Sequence, residues 1–367
     1  MRVGIDGRML YHSGIGRYIQ NILLTLPSPE LRMVVFLNEK GMKDKRLDSP
    51  FLEKRLIRSP LFSPFEQVEL AWKARAEKLD LFHAPHINAP LLYPGKLVVT
   101  VHDLIPLLFP GTIAFSLGER YFAAMVKLST LRAQRILTVS QNTRKDLLAF
   151  GVDEGKIFAV LNGVDPLYGE RIPPEDLSAS LEVFGIKKPF LLYAGQWKRY
   201  KNVLGLIRAF AAARRNFPDL SLVLIGKVDR REGVIEEIER LGLGKAVVVT
   251  DYIAEEKDVV AIYQESSGFV FPSLYEGFGL PPLEAMMAGV PVVSSNRSAM
   301  PEVLGEAALL VDPEEEALAR GIEKILGDPG LRGELIEKGK KHSARLSWEA
   351  TAQGIKKIYR ETLAISR

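Results

Sequence analysis

At 367 residues, 47% hydrophobic and 26% charged, the chain is too long for one typical core and too apolar for disorder, so two globular domains are expected. It has no cysteine, which excludes disulfides, thiolate metal sites and cysteine nucleophiles and fits a reducing compartment. The net charge of +4 is uneven: residues 1–170 hold 22 Lys and Arg against 17 Asp and Glu, the remainder 27 against 28. The surplus gathers at Lys40, Lys43, Lys45, Arg46, Lys54, Arg55 and Arg58, either as an attractor for an anionic lipid surface or as a solvated loop. Nucleic acid is not expected, because no aromatic-interleaved basic stretch or zinc-finger spacing occurs. No leader is expected, because Met1–Asp6 is not followed by an apolar h-region with a small-residue cleavage site, and no charge-free apolar run approaches the ~20 residues that span a bilayer. A cytoplasmic location is expected, with peripheral contact at the inner, anionic face of the cell membrane as a further expectation.

In chain order, strands are expected at Arg2–Ile5, Met33–Leu37, Leu79–His83, Leu97–Val101 and Arg135–Val139, with helical patterns at Gly16–Leu26, Phe65–Ala76 and Gly118–Ala133. This alternation argues for an open parallel α/β sheet with helices on both faces. A Pro/Gly-rich stretch from Asn162 to Pro174 reads as an interdomain linker. The alternation then restarts: strands at Phe190–Gly195, Leu220–Ile225, Ala246–Thr250, Gly268–Phe271 and Pro291–Ser294, helices at Val203–Phe217, Gly233–Leu241, Lys257–Glu265 and Pro282–Ala288. An amphipathic tail from about Trp348 to Ala364 follows, with Ile355, Ile358, Tyr359 and Leu363 at helical spacing. The expected fold class is α/β: two doubly wound, Rossmann-like parallel-sheet domains facing a deep cleft, where ligands should sit.

Four constellations carry chemistry. In Glu276-Gly277-Phe278-Gly279-Leu280-Pro281-Pro282-Leu283-Glu284, two glycines let backbone approach a ligand and a helix begins, while Glu276 and Glu284 can grip sugar hydroxyls. The bland alternative is a carboxylate on a helix dipole beside a solvated one. In Gly195-Gln196-Trp197-Lys198-Arg199-Tyr200-Lys201-Asn202, three cations between a strand and a helix suit a diphosphate, although the Gly-Lys-Ser/Thr ending of a Walker loop is missing. Gly14 and Gly16 precede a helix and offer N–H groups to one phosphate, but Ile19 stands where a dinucleotide fingerprint needs its third glycine. His83, His86, His102 and Asp103 follow strand ends, and His102 can bond a sugar hydroxyl with Asp103 orienting it. For His83 and His86 a satisfied structural role is the plainer reading. No metal is expected.

With these residues in view, the chain resembles family 4 retaining glycosyltransferases of GT-B fold, especially bacterial mannosyltransferase-like members, over nearly its whole length. Gly14-Ile-Gly16-Arg-Tyr, Val101-His102-Asp103-Leu-Ile-Pro, Thr138-Val-Ser140-Gln-Asn-Thr-Arg and Leu161-Asn162-Gly163-Val-Asp165 look like family landmarks. So do Gly195 through Asn202 and Glu276 through Glu284. The resemblance implies that Glu276 holds donor-sugar hydroxyls, Glu284 the ribose, and Lys201 with Arg199 or Lys198 the diphosphate. Backbone N–H groups at Gly16 and from Gly277 through Phe278 and Gly279 to Leu280 would complete the cradle, and His102 would touch the transferred sugar. Tyr200 stands where related members often carry the second cation, so Arg199 is expected to supply it. The base pocket is expected near Asp251, Tyr252 and Ile253, and the acceptor side near Asp103 and His86. The implied domains are residues 1–170 with 347–367, and residues 171–346.

The implied reaction is retaining transfer of a hexose by front-side displacement, most readily mannose from GDP-mannose, onto a glycan or lipid-linked saccharide, with no cofactor beyond the nucleotide sugar. Apolar Leu104-Ile-Pro-Leu-Leu108-Phe-Pro beside His102 suits a lipid-linked acceptor or a core-packing segment. A UDP-glucose or UDP-N-acetylglucosamine transferase shares these motifs. Readings of another class are a nicotinamide-dependent oxidoreductase and a non-catalytic sugar-nucleotide-binding protein.

Overall fold

The computed structural model describes residues 1–112 and 118–365. Each β-branched run closes into a parallel ladder, and the chain divides into two compact units: Met1–Gly163 with Trp348–Arg367, and Val164–Ser347. The expected tail of 347–367 thus includes residues 366 and 367, which lie outside the described residues.

The first unit holds β1 (Arg2–Asp6), β2 (Arg32–Leu37), β3 (Leu52–Leu56), β4 (Leu81–Ala84), β5 (Lys96–Val101), β6 (Arg135–Thr138) and β7 (Ile157–Ala159). They form one sheet in the order β3-β2-β1-β4-β5-β6-β7. On one face, the Ser13–Thr25 helix packs Tyr18, Ile19 and Ile22 against Trp348, Ile355 and Tyr359 of the Trp348–Ala364 helix. On the other, Leu70, Ala71 and Ala74 of the Pro64–Ala76 helix meet Phe36, Phe82 and Tyr93. Burial of both faces is what apolar central strands such as Met33-Val-Val-Phe-Leu37 require.

Two strands of this unit escaped the sequence reading. β3 is Leu-Glu-Lys-Arg-Leu, whose charged middle hides its period, yet it makes an edge strand stabilised by charge pairing. Arg2 pairs with Glu53 and Glu77, Arg55 with the same two carboxylates, and Lys54 with Asp48. Arg46 is likewise paired with Asp44, and Lys40 lies over the Tyr11 ring. Much of the basic surplus is therefore neutralised locally and belongs to a strand, not to one solvated loop. β7 is three residues long, too short for periodicity to register.

The second unit holds β8 (Phe190–Ala194), β9 (Ser221–Ile225), β10 (Val247–Asp251), β11 (Gly268–Phe271), β12 (Val292–Ser295) and β13 (Leu309–Val311), in the order β10-β9-β8-β11-β12-β13. The segment read as a linker is a linker only at its start. Pro166–Gly169 forms a 3-10 turn whose Tyr168 is fully buried edge-on against Tyr263, and Gln264 donates to the Tyr168 and Glu170 carbonyls. Apolar Leu104 and Leu107 likewise join the first unit's core, while Leu108 stays exposed. No helix among the described residues is long and apolar enough to cross a membrane.

Candidate functional site

In an open parallel sheet the ligand crevice lies at the carboxyl ends of the two strands where the order reverses. In the second unit those strands are β8 and β11. The loops that leave them are the two sharpest sequence motifs, and the fold ties them together. Leu274 donates its N–H to the Tyr200 carbonyl at 2.7 Å, and Asn202 bridges the Pro272 and Pro313 carbonyls through its amide. Asn202 does so from a left-handed conformation (φ 55°) that ends the Arg199–Lys201 turn and begins the Val203–Ala213 helix. Asparagine tolerates that conformation better than most side chains.

The result is an ion pair at the switch point: Lys201 Nζ lies 2.6 Å from Glu276 Oε1, with the side chains 15% and 8% exposed. Lys201 also sits 5.3 Å from the Phe271 ring and 5.4 Å from the Tyr200 ring, so its charge is further held by aromatic faces. The Glu276 backbone N–H donates to Ser298 Oγ at 2.8 Å. Ser298 is itself held at φ 49°, where a β-substituted residue is strained.

Glu284 is buried and accepts the Tyr263 hydroxyl at Oε2, 3.2 Å away. The helix carrying it runs Leu280–Met287, beginning two residues earlier than the sequence suggested, so Glu284 lies in the second turn and not the first. Pro281 and Pro282 follow Leu280 and remove two of the N–H groups that a helix start leaves unpaired. The donors this motif can offer a ligand are thus concentrated at Phe278, Gly279 and Leu280, Gly277 being already engaged. Gly279 must be glycine: φ is 96°, and an added Cβ would sit 2.5 Å from Met300 Cε. Phe278 is buried and anchors the turn.

The three cations of the Gly195–Asn202 loop have separate fates. Lys198 is held by Asp229 at 2.9 Å, and Asp229 is shared with Arg231. These two cations hold the Asp229 carboxyl well below the usual carboxylate range. Arg199 is exposed with no carboxylate partner among the described residues. Of Lys198 and Arg199, Arg199 is the one left available. The loops after β8, β9 and β10 are also knit together: Gly195 donates to the Ile225 carbonyl, Gly226 to that of Asp251, and a Cβ on Gly226 would overlap the Gly195 oxygen at 2.0 Å. Ile253 beyond them is buried, while neighbouring Tyr252 is 80% exposed.

In the first unit the order reverses between β1 and β4. The loop after β1 leads to Gly14 and Gly16, which the structure treats differently. A Cβ on Gly16 would strike the Leu10 carbonyl oxygen at 2.5 Å, whereas one on Gly14 would meet nothing within 4 Å. Gly16 is thus fixed by packing, and Gly14 lies open on the first turn. Beneath them is a buried network: Arg8 reaches Asp6 and Glu66, each at 2.7 Å. His86 belongs to it, with Nε2 3.2 Å from Asp6 and Nδ1 accepting the Asn88 N–H at 3.0 Å. Both its nitrogens are spent inside the unit and it is 3% exposed, so its surroundings match the structural reading, not the acceptor-side one. Burial pushes the Asp6 carboxyl up, but Arg8 and His86 more than offset this and leave it well below the usual carboxylate range.

His83 is likewise satisfied, by the Tyr359 hydroxyl at 2.6 Å and Thr100 at 2.8 Å. His102 differs. Its Nε2 lies 2.8 Å from the Pro85 carbonyl, an acceptor only, so Nε2 carries the hydrogen and Nδ1 keeps a free lone pair. Burial lowers its pKa to about 4 despite the opposing pull of that carbonyl, so the ring is neutral at pH 7 and offers an acceptor. The Tyr18 ring packs edge-on against it at 4.9 Å. Asp103 caps the Ile105 N–H at 3.0 Å, while the contact that fixes the His102 ring is to Pro85.

Sequence reasoning gave Asn202 only as the end of the cationic motif, without its bridging role, and missed Ser298, Tyr263 and Asp229. The Lys-Asn step before a helix is a usable signal for a left-handed cap, whereas nothing local marks Ser298, Tyr263 or Asp229.

Comparison with known proteins agrees with both halves of this picture. The family described as Glycosyltransferase Family 4 matches residues 12–167, and that described as Glycosyl transferases group 1 matches residues 180–342. O-antigen chain mannosyltransferase B of Escherichia coli is 28% identical over 360 residues, covering 92% of this chain and 93% of that protein. The serotype-specific mannosyltransferase WbdA of Escherichia coli is 31% identical over 273 residues, 71% of this chain but only 32% of that longer protein. Among solved structures, Anabaena Alr3699/HepE in complex with UDP-glucose superposes with a TM-score of 0.80 at 21% identity, over 98% of this chain and all of that one. WaaG, a glycosyltransferase involved in lipopolysaccharide biosynthesis, gives 0.76 at 18% identity, over 98% and 99%. These likenesses set aside the oxidoreductase reading. With its two parallel-sheet units of GT-B type, the chain belongs to the family 4 glycosyltransferases and is similar to their bacterial mannosyltransferases.

Proposed function

We propose that the protein is a retaining hexosyltransferase that moves mannose from GDP-mannose onto a glycan carried on a lipid. The observation that carries this reading is the Lys201–Glu276 pair at the β8/β11 switch point, a cation and a carboxylate held where a sugar diphosphate would lie. Lys201 and exposed Arg199 take the diphosphate, and the N–H groups of Phe278, Gly279 and Leu280 face its oxygens. Glu276 grips the sugar hydroxyls, and Glu284, steadied by Tyr263, takes the ribose. Ile253 lines the base side. On the first unit, Gly14 offers its N–H to a phosphate, whereas the Gly16 N–H, expected from the sequence to do the same, is donated to the His12 carbonyl; His102 accepts a hydrogen bond from a sugar hydroxyl through Nδ1.

In the proposed step the bond from the anomeric carbon to the diphosphate oxygen breaks. The acceptor oxygen bonds the same carbon from the same face, and its proton passes to the departing phosphate oxygen. Lys201 and Arg199 stabilise the charge that grows there, with no metal required by the residue set. Glu276 supports the sugar electrostatically and is no covalent nucleophile. The preference for mannose is supported by the mannosyltransferase relatives; a UDP-sugar donor is the second reading, supported by the UDP-glucose complex of the same fold.

A panel of GDP, UDP and their sugars in thermal unfolding tests the donor, because a ligand bound to the native state raises apparent stability by mass action. GDP-mannose should raise the melting temperature most, and the rise should vanish in Lys201→Ala. Larger protection by UDP-glucose would replace the donor, and no protection by any nucleotide would overturn the reading.

A further inference from the structure

We infer that the right-angled pair of rings formed by Phe62 and Tyr121 in the first unit is a subsite for a pyranose ring of the acceptor, an inference that rests on the proposal that the acceptor is a glycan. Phe62 follows Leu61, which packs against the core, and lies just before the Pro64–Ala76 helix. It is 48% exposed and held at φ 64°, a conformation that costs a bulky side chain energy. Its ring stands outside the core, edge-on to that of Tyr121, with centroids 6.3 Å apart and planes at 87°. A phenylalanine needed only for packing would require neither the strain nor the exposure.

Tyr121 is half-buried on the Gly118–Arg132 helix and is fixed from below. Its hydroxyl donates to Asn88 Oδ1, and Asn88 Nδ2 donates to Glu66, which is paired with Arg8. Burial pushes the Tyr121 hydroxyl up to about 12, so it stays protonated and keeps donating. Arg8, Glu66 and Asn88 are each at most 2% exposed, so the ring rests on a buried, hydrogen-bonded floor.

The loop that holds Tyr121 also holds His102. The Pro85 carbonyl accepts the His102 ring N–H, and Asn88, three residues on, accepts the Tyr121 hydroxyl. This loop leaves β4, one of the two strands at which the order of the first sheet reverses, where an open parallel sheet binds its ligand. The aromatic corner and His102 therefore belong to the same end of this unit.

Chemistry selects the occupant. A pyranose gathers axial C–H bonds on one face and carries hydroxyls around its rim. Exposed rings with a few fixed polar groups beside them complement such a ligand. An anion is disfavoured, because the one cation beneath the corner, Arg8, is already spent on Asp6 and Glu66. Strain at an exposed aromatic is the kind that persists at ligand clamps.

Saturation-transfer NMR tests this on the whole protein, with the methyl glycosides of mannose, glucose and N-acetylglucosamine and of their disaccharides as probes. Saturating the aromatic protons should transfer to the C–H protons on one face of at least one of these sugars. Phe62→Gly should weaken binding of that sugar roughly three- to tenfold, since aromatic contacts contribute on that scale. The same variant should melt no lower than the unaltered protein, because glycine adopts φ 64° without strain. Phe62→Tyr, which keeps a ring there, should retain the affinity.

No transfer to any of these sugars, an affinity unchanged in Phe62→Gly, or an affinity lost together with a fall in melting temperature would each overturn the inference. Equal transfer to the alkyl chain of a detergent that carries no sugar would overturn it in favour of a lipid tail. Nucleotide protection in thermal unfolding separates the two readings. Absent sugar binding with that protection intact refutes only this subsite, whereas sugar binding with no nucleotide protection refutes only the donor reading.

Discussion

Replacing Lys201 alone should damage the second unit more than replacing Lys201 and Glu276 together. The pair is 2.6 Å apart and at most 15% exposed, so each charge has given up most of its water for the other. Removing one partner strands a buried charge, which costs about 3–5 kcal/mol, while an uncharged pair of similar volume is close to neutral. Lys201→Met and Glu276→Gln should therefore each lower the melting temperature of a unit this size by roughly 6–20 °C, since 1 kcal/mol corresponds to about 2–4 °C. The double variant should recover most of that loss, giving a coupling of at least about 2 kcal/mol. The assay is urea and thermal unfolding followed by Trp197, the one tryptophan of the second unit, in a Trp72→Phe, Trp348→Phe background. Single-variant costs that add in the double to within about 0.5 kcal/mol would refute the ion pair and the claim that Glu276 holds Lys201 in place.

Two further predictions concern the first unit. Burial lowers the pKa of His83 to about 3 and of His102 to about 4, so both are neutral when folded, whereas the unfolded chain protonates them below about 6.5. Their contribution is full above pH 6.5 and is lost as pH falls from there towards 4 and 3. At about 1.4 kcal/mol per pH unit for each, roughly 3–4 kcal/mol should disappear between pH 6.5 and 5. His83→Gln should halve that slope in urea unfolding followed by Trp348, and a pH-independent stability over this window would contradict the buried-neutral assignment. Gly16→Ala should cost about 1–3 kcal/mol, because its Cβ meets backbone at Leu10 and Met9. Gly14→Ala should leave the fold as stable or slightly more so in thermal melts, since a helical glycine is replaced in open space; equal losses at both positions would refute the distinction.

The apolar strands were legible because parallel strands buried on both faces are continuous runs of Val, Ile, Leu and Phe, as in Leu220–Ile225. β3 was not legible, because its stability comes from Arg2 and Glu77, which lie far from it in sequence. The loop motifs around Lys201 and Glu276 were legible through composition, and the sequence could not show that the two side chains are one ion pair. Nor could it separate Lys198 from Arg199, since the choice turns on Asp229, thirty-one residues from Lys198 and one strand away. His86 and His102 look alike in sequence; only the partners at both ring nitrogens distinguish a satisfied histidine from one with a lone pair to offer.

The central claim is that the switch point holding Lys201 and Glu276 binds a nucleotide sugar and drives its transfer with retention. It is tested most directly by incubating the protein with GDP-mannose and a lipid-linked saccharide acceptor, then following GDP release and the anomeric configuration of the product by NMR. The account predicts GDP release coupled to an α-linked product, lost in Lys201→Ala and Glu276→Gln proteins that remain folded. A β-linked product, or turnover undiminished in either variant, would contradict it.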